Sequence, residues 1–418
     1  MDARTDARPD FSATDALALG GAVGALILVL RDPPAREALR SHTRDFDREE
    51  WQRLAALAIT RHRVGPLVGR TLATTIPERV PADVAAEFKA EARRAGMHAL
   101  VLKAESARVV SALNRHGIEP VLFKGWCLEE ALGRPIGERV AKDIDILVAP
   151  GELKTASEVL RALGYAIAEP AIPRSDTGLA AFLAVNKQFE FYNARLNVQI
   201  ELHVRPFQVP GLLPAQSLCT ESRILHGGAR AARYRVLARE SCFLFLALHG
   251  YMHGWERAKW LVDLPPLLRS LVPDEWTRIS ALARQLGVER AVGVGLVLAR
   301  DLLGAAIPPA ATHFLEAAQN ASVTRICRRR LLAPHDAYER PGLRLGLESD
   351  LVMMTASRRP RAIASALGIR LVQTTDIAAW SIPDLPRWLY YALAALHLLR
   401  RAGRRLRRDI LHRGFRTG

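Results

Sequence analysis

Apolar positions along this chain change period twice, and the changes divide it. In the first hundred residues they recur at helical intervals. The stretch Asp47-x-x-x-Trp51-x-x-Leu54 opens a run through Leu57 and Ala58. The segment RHRVGPLVGRTL (Arg61 to Leu72) follows, and Gly65 and Pro66 are expected to break it. Leu100, Leu102, Val109, Val110 and Leu113 then predict a long helix from Pro81 to His116, ended by His116-Gly117. From Ile118 the period shortens to that of strands. Strand 119–123, helix 126–132, strand 143–148 and helix 153–163 follow in turn, with Gly164-Tyr165 leading into another extended segment. Extended runs at 188–192 and 197–204 flank Asn193-Ala194-Arg195, a hairpin turn. After Pro206 the pattern predicts a loop rich in Pro, Gly and Ser. Helical periodicity returns near Ser241, through FLFLALHGYMHGWERAKWLVDLPPLL (Phe243 to Leu268), and again in the apolar run WLYYALAALHLL beyond Arg387.

These elements predict an α+β fold, a small mixed sheet with flanking helices set between helical regions. The expected units are an N-terminal helical region (1–116), an α/β core (117–206), a helical region completing a cleft (207–310) and a basic helical extension (311–418). A chain of 418 residues exceeds the size at which one core usually stops growing, and 49% hydrophobic residues supply several.

The 59 basic and 43 acidic residues give a net charge of +16, which favours anionic partners such as nucleotides, nucleic acid or acidic lipid. Residues 400–418 carry eight arginines against one aspartate, a segment that reads as a solvated helix or as a peripheral contact with an anionic membrane or nucleic acid. Cys127, Cys219, Cys242 and Cys327 lack zinc-site or CxxC spacing, so a reduced, cytoplasmic protein without structural zinc is expected. Ala16 to Leu30 is apolar over 15 residues, short of the roughly 20 that span a bilayer, and the preceding MDARTDARPD lacks a positive n-region. It is read as a buried helix.

Candidate chemistry is concentrated in 120–206. Strand alternation puts Asp143 and Asp145 on one face and turns Ile144 and Ile146 into the core. A third carboxylate from a neighbouring strand is available in Glu201 of NVQIELHV, with His203 on the same face. Two or three convergent carboxylates are what a site needs to hold divalent cations against a triphosphate. Lys124-Gly125 sits where a strand passes into a helix, a place for backbone N–H groups to meet phosphate, with Lys124 as a mobile positive charge. Arg139 lies on the loop before the aspartates. His249 and His253, four apart on one helix face, lack the further ligands of a zinc site; with Lys259 and Asp263 they are expected to line the cleft, while Trp255 and Trp260 are expected in the core.

The order LFKG, Arg139, KDIDILV, IELHVRP resembles the uncharacterised nucleotidyltransferase family, a branch of the polymerase-beta-like nucleotidyltransferase superfamily. LALHGYMHGWERAKWLVDLPPLL is similar to its His-rich helical segment, and DREEWQRLAALAITRHRVGPLVGRTL to its N-terminal helical region. The resemblance covers residues 15–270. It implies a mixed sheet with Asp143, Asp145 and Glu201 as catalytic residues and ligands of two Mg2+ ions. Lys124 and Gly125 become the phosphate-binding turn, and Arg139, His249 and Lys259 further nucleotide contacts. Superfamily members commonly have Gly-Ser or Gly-Gly at that turn, whereas Trp126 follows Gly125 here, so no hydroxyl is on offer. The activity implied is transfer of a nucleotide from an NTP such as ATP to an acceptor, with release of pyrophosphate. A small-molecule acceptor is expected, with Glu201 assisting its deprotonation. The rivals are a nucleotide-binding regulatory protein without turnover and a transferase that modifies nucleic acid or protein.

Overall fold

The computed structural model describes residues 19–168, 173, 175–227, 232–319, 321–334, 343–373, 376–377 and 387–399. The arginine-rich segment 400–418 and residues 16–18 of the first apolar run lie outside them. The fold is α+β, a seven-stranded mixed sheet embedded in helices.

Helix Gly21–Leu30 (GAVGALILVL) is apolar on every side and buried along nearly its whole length, which fits a helix surrounded by others rather than one lying on a surface. No described helix is long and apolar enough to cross a membrane. Asp47 caps the helix Arg48–Ala56 by accepting the Glu50 N–H at 2.8 Å. Pro66 does not end a helix, as the pattern suggested. It lies in the first turn of Gly65–Thr75, where its missing N–H leaves no bond unmade. Between the two helices, Arg63 turns the chain with a left-handed φ of 54°.

The long helix Ala82–Arg115 runs 34 residues and stops where Gly117 takes a φ of 74°. Val84 and Phe88 enter the helical core, whereas Leu102, Val109 and Leu113 pack beneath the sheet, so this one helix joins two cores. Leu100, one of the apolar positions that predict this helix, is 58% exposed and shares an outward face with Met97 and Val101.

The strands are β1 (Val121–Leu122), β2 (Asp143–Leu147), β3 (Ala166–Ile167), β4 (Gln188–Asn193), β5 (Val198–His203), β6 (Arg223–Gly227) and β7 (Ala232–Val236), in the spatial order β3-β4-β5-β2-β1-β7-β6. β5 and β2 are parallel, with Asp145 opposite Glu201. The segment after Pro206 is not only loop. β7 pairs in parallel with β1 and forms a hairpin with β6, extending the sheet past the first five strands. Leu122, Ile144, Ile146, Ile200 and Leu202 face the long helix. Val121, Phe123 and Leu147 face a helical layer that includes Arg239–Met252, where the Phe123 and Phe245 rings meet edge to face at 5.2 Å.

That layer contains a notch. A Cβ on Gly250 would lie 2.3 Å from the Trp255 ring, which is fully buried and whose own backbone has a φ of 52°. Seating the indole here reverses the chain at the end of the helix, where the Trp255 N–H donates to the Gly250 carbonyl at 2.8 Å. Gly250→Ala is therefore expected to cost about 1–3 kcal/mol by overpacking, read as a lower chemical-denaturation midpoint; an unchanged midpoint would show that the indole can move aside.

Candidate active site

Asp143, Asp145 and Glu201 project from β2 and β5 toward the helix Arg239–Met252 and line a cavity of about 220 Å³; His203, on the same face of β5, is fully buried and does not line it. The parallel register sets Asp145 beside Glu201. His203 is two residues further along β5, and its Nε2 lies 3.0 Å from Asp145 Oδ1 and 3.1 Å from Glu201 Oε2. Bridging two carboxylates requires a proton on Nε2. The ring is fully buried, edge to face with Phe123 at 4.9 Å, and burial lowers its pKa, so the neutral Nε2–H tautomer fits. Ligand atoms of Asp145, Glu201 and His203 all lie within 4.8 Å of one another, the sole such group of potential metal ligands among the described residues.

Lys124, expected as a mobile strand-end charge, is pinned. Its ammonium lies 2.5 Å from Asp145 Oδ1 and 3.8 Å from Glu201 Oε2, with only 11% of the side chain exposed. Burial alone would raise the Asp145 carboxyl, but Lys124 and His203 outweigh it and hold the group well below the usual range. Asp143 shows the opposite: burial, then the Asp145 and Glu201 charges, push it up to about 6. Gly125 turns the chain with φ 71° and ψ −143°, a conformation open to glycine, and lines the cavity. The following residue, Trp126, serves the core: it is buried, and its indole N–H donates to Ser106 Oγ at 2.9 Å.

Arg139 reaches the cavity on a braced loop. Glu129, fully buried, accepts the backbone N–H of Gly137 at 2.9 Å and that of Arg139, and burial pushes its carboxyl up to about 7. Asp263 does not line the cleft, contrary to expectation. It is fully buried behind it, one oxygen 2.7 Å from Arg139 Nε and the other 3.2 Å from Arg134 Nη1. The opposite wall holds His249, His253, Lys259 and Trp260, with the His253 and Trp260 rings stacked at 4.6 Å. Trp255 is core, as expected; Trp260 is largely buried yet also lines the cavity.

The cleft is thus lined by Lys124, Gly125, Arg139, Asp143, Asp145, Glu201, His249, His253 and Lys259 of the residues singled out from the sequence, but not by Asp263 or His203. It also includes residues that pattern alone did not single out: Arg63, Lys142, Lys187 and Arg257. Seven cations then face three carboxylates, a surplus suited to a polyanion. Burial, then Arg139 and Arg63, lower the Lys259 ammonium to about 7, and burial, then Lys124, lower Lys187 to about 8.

The sequence model of a family described as an uncharacterised nucleotidyltransferase matches residues 47–304. The chain belongs to that family. No curated protein matches it. The matched span of this nucleotidyltransferase family member contains every residue lining the cleft, from Arg63 to Trp260. Membership supports transferase chemistry and an NTP substrate. The donor set also suits a hard divalent cation. Carboxylate oxygens of Asp145 and Glu201 converge with Asp143 close by, and a cationic ammonium already occupies the space that such charges would offer a metal.

Proposed function

We propose that this protein is a Mg2+-dependent nucleotidyltransferase that moves a nucleoside monophosphate from an NTP to an acceptor and releases pyrophosphate. One observation carries the reading: Asp145 and Glu201 are in register on adjacent strands beside Asp143, at the floor of a cleft rimmed by cations. Asp143, Asp145 and Glu201 would hold Mg2+, which when bound supplies charge neutralisation and Lewis acidity at the reacting phosphate. Lys124 balances the carboxylates from within and moves toward the phosphates on loading. His203 fixes the orientation of Asp145 and Glu201 through Nε2–H. Arg139, locked by Asp263, offers a guanidinium for the triphosphate, and Gly125 leaves its path free of a side chain. The His253–Trp260 stack and His249 form a wall against which a planar base can rest.

The test is incubation of purified protein with each α-labelled NTP, Mg2+ and a fractionated cell extract. Label transferred to one component, with stoichiometric pyrophosphate, supports the reading. Tight NTP binding without pyrophosphate release would assign a regulatory role instead.

The lysines give a pH prediction. In the empty cleft Lys259 and Lys187 lose their protons near 7 and 8, whereas a bound polyanion favours the charged form. Binding therefore takes up protons, and affinity for a non-hydrolysable NTP analogue should fall as pH rises from about 7 to 9, by up to about tenfold per unit for each lysine. Titration calorimetry in buffers of different ionisation enthalpy measures that uptake. A flat affinity with no proton uptake would mean that neither lysine meets the nucleotide.

A further inference from the structure

The cleft has more positive charge than a nucleotide and its metals can neutralise, and the surplus bears on the acceptor. The argument rests on the nucleotidyl-transfer reading above. Arg139 is offset from behind by Asp263. The six other cations face three carboxylates, leaving three positive charges uncompensated. An NTP carries roughly four negative charges, so with one Mg2+ it brings about two, and with two Mg2+ about none. A loaded donor site therefore remains positive in either case.

The surplus is not spread evenly. Lys124 contacts Asp145 and Glu201, Lys187 is a charge neighbour of Lys124 and Glu201, and Lys259, on the wall assigned to the nucleotide, neighbours Arg139 and Arg63. Arg63, Lys142 and Arg257 come from three distant segments, the turn before helix Gly65–Thr75, the residue preceding β2 and the chain after the Trp255 reversal, and line the same cleft, with Asp143 next in sequence to Lys142 and a charge neighbour of Arg63. Among the described residues none of the three forms a salt bridge, and Arg257 Nε is buried with no hydrogen-bond partner. Arg63 and Arg257 act on each other across the cleft: burial, then Arg257, lower the Arg63 guanidinium. Arg63 holds this place with a left-handed backbone, a strain that a non-glycine residue retains only where its surroundings impose it. Three cations that line one cleft without a salt bridge among the described residues form a receptor for a compact dianion.

We propose that the acceptor is a phosphate monoester, bound by Arg63, Lys142 and Arg257 beside Asp143, and that its ionised phosphate oxygen is the nucleophile. A monoester carries between one and a half and two negative charges near pH 7, about what the surplus requires, and guanidinium forks match its oxygens. A neutral hydroxyl would leave the three cations facing each other. The reaction balances without a base. A phosphate oxygen bonds to the α-phosphorus while the bond from that phosphorus to the α–β bridging oxygen breaks, and its electron pair leaves with pyrophosphate. The product joins the nucleotide to the acceptor through a P–O–P link. No proton or redox partner is needed, which agrees with Asp145 being engaged by Lys124 and His203, and Glu201 by His203.

The test uses the full chain, Mg2+ and an α,β-methylene NTP analogue. If the analogue does not bind, the donor reading fails and takes this proposal with it. If it binds, inorganic phosphate is titrated into the analogue-saturated enzyme. Saturable binding is expected, weakened at least about tenfold by Arg63→Ala or Arg257→Ala and less by Arg257→Lys, with analogue affinity shifted under about threefold. With hydrolysable NTP, radiolabelled inorganic phosphate should become the β-phosphate of a nucleoside diphosphate. The acceptor assignment is overturned, with the donor reading intact, by three outcomes: phosphate that does not bind the loaded enzyme, phosphate that only competes with the analogue, or arginine variants that lose analogue and phosphate alike.

Discussion

Asp145→Asn is expected to reduce nucleotidyl transfer at least about 10³-fold while leaving a folded protein. The substitution keeps the shape of the side chain and leaves Ile144 and Ile146 in the sheet core. What it removes is the charge at the point where β2 and β5 meet. The metal site loses its most acidic carboxylate, the one held below the usual range by Lys124 and His203. Electrostatic groups of this kind are worth several kcal/mol of barrier, because they act in a site already organised around the developing charge. Lys124 remains within 3.8 Å of Glu201, so its ammonium keeps a counter-charge and the fold survives. Transfer measured with α-labelled NTP, alongside circular dichroism of the same sample, separates the two effects. Turnover within tenfold of wild type would remove Asp145 from the chemistry.

Asp263→Ala should produce the largest loss of stability, about 3–5 kcal/mol, because it removes the counter-charge of the buried Arg139 and one partner of the half-buried Arg134. Asp263 is fully buried and divides its oxygens between Arg134 and Arg139, whose side chains are 14% and 4% exposed. Arg139 faces the cleft from the loop that Glu129 holds by the N–H groups of Gly137 and Arg139, so its guanidinium cannot leave the site of a lost Asp263 without disturbing that loop. Gly137 in turn packs its φ of 88° against the long helix so closely that a Cβ would lie 2.5 Å from Gly96 Cα. The loop has little room to yield. Chemical denaturation of Asp263→Ala, Arg139→Ala and the double variant would show coupling: removing Arg139 as well should recover part of the loss. Additive effects would mean that the ion pair does not anchor the loop.

The parity of Asp143, Asp145, Glu201 and His203 was readable because strand alternation is local. Four letters of sequence decide a face, and β2 and β5 then needed only to be neighbours for the carboxylates to meet. The apolar run through Leu30 was readable for a similar reason, since a helix without a polar side has to be enclosed. The rest depends on distance in the chain. Arg63, Lys142, Lys187 and Arg257 share no motif and converge only because the 57–65 turn, the β1–β2 loop, the approach to β4 and the Trp255 reversal end at one cleft. Asp263 was placed correctly in the segment and wrongly in its role, as sequence spacing cannot say which side of Arg139 a carboxylate approaches. β6 and β7 escaped because RILHG and ARYRV are only five residues each, the second with alternate arginines, and read as loop until β1 offers β7 an edge.

The central claim is that Asp143, Asp145 and Glu201 hold divalent metal against a triphosphate. Crystals grown with Mn2+ and an α,β-methylene NTP analogue, measured at the manganese absorption edge, address it directly. The account predicts anomalous density touching all three carboxylates, with Lys124 Nζ drawn away from Asp145 and toward the phosphates. Manganese bound elsewhere, or Lys124 still seated on Asp145 in the nucleotide-bound protein, would contradict it.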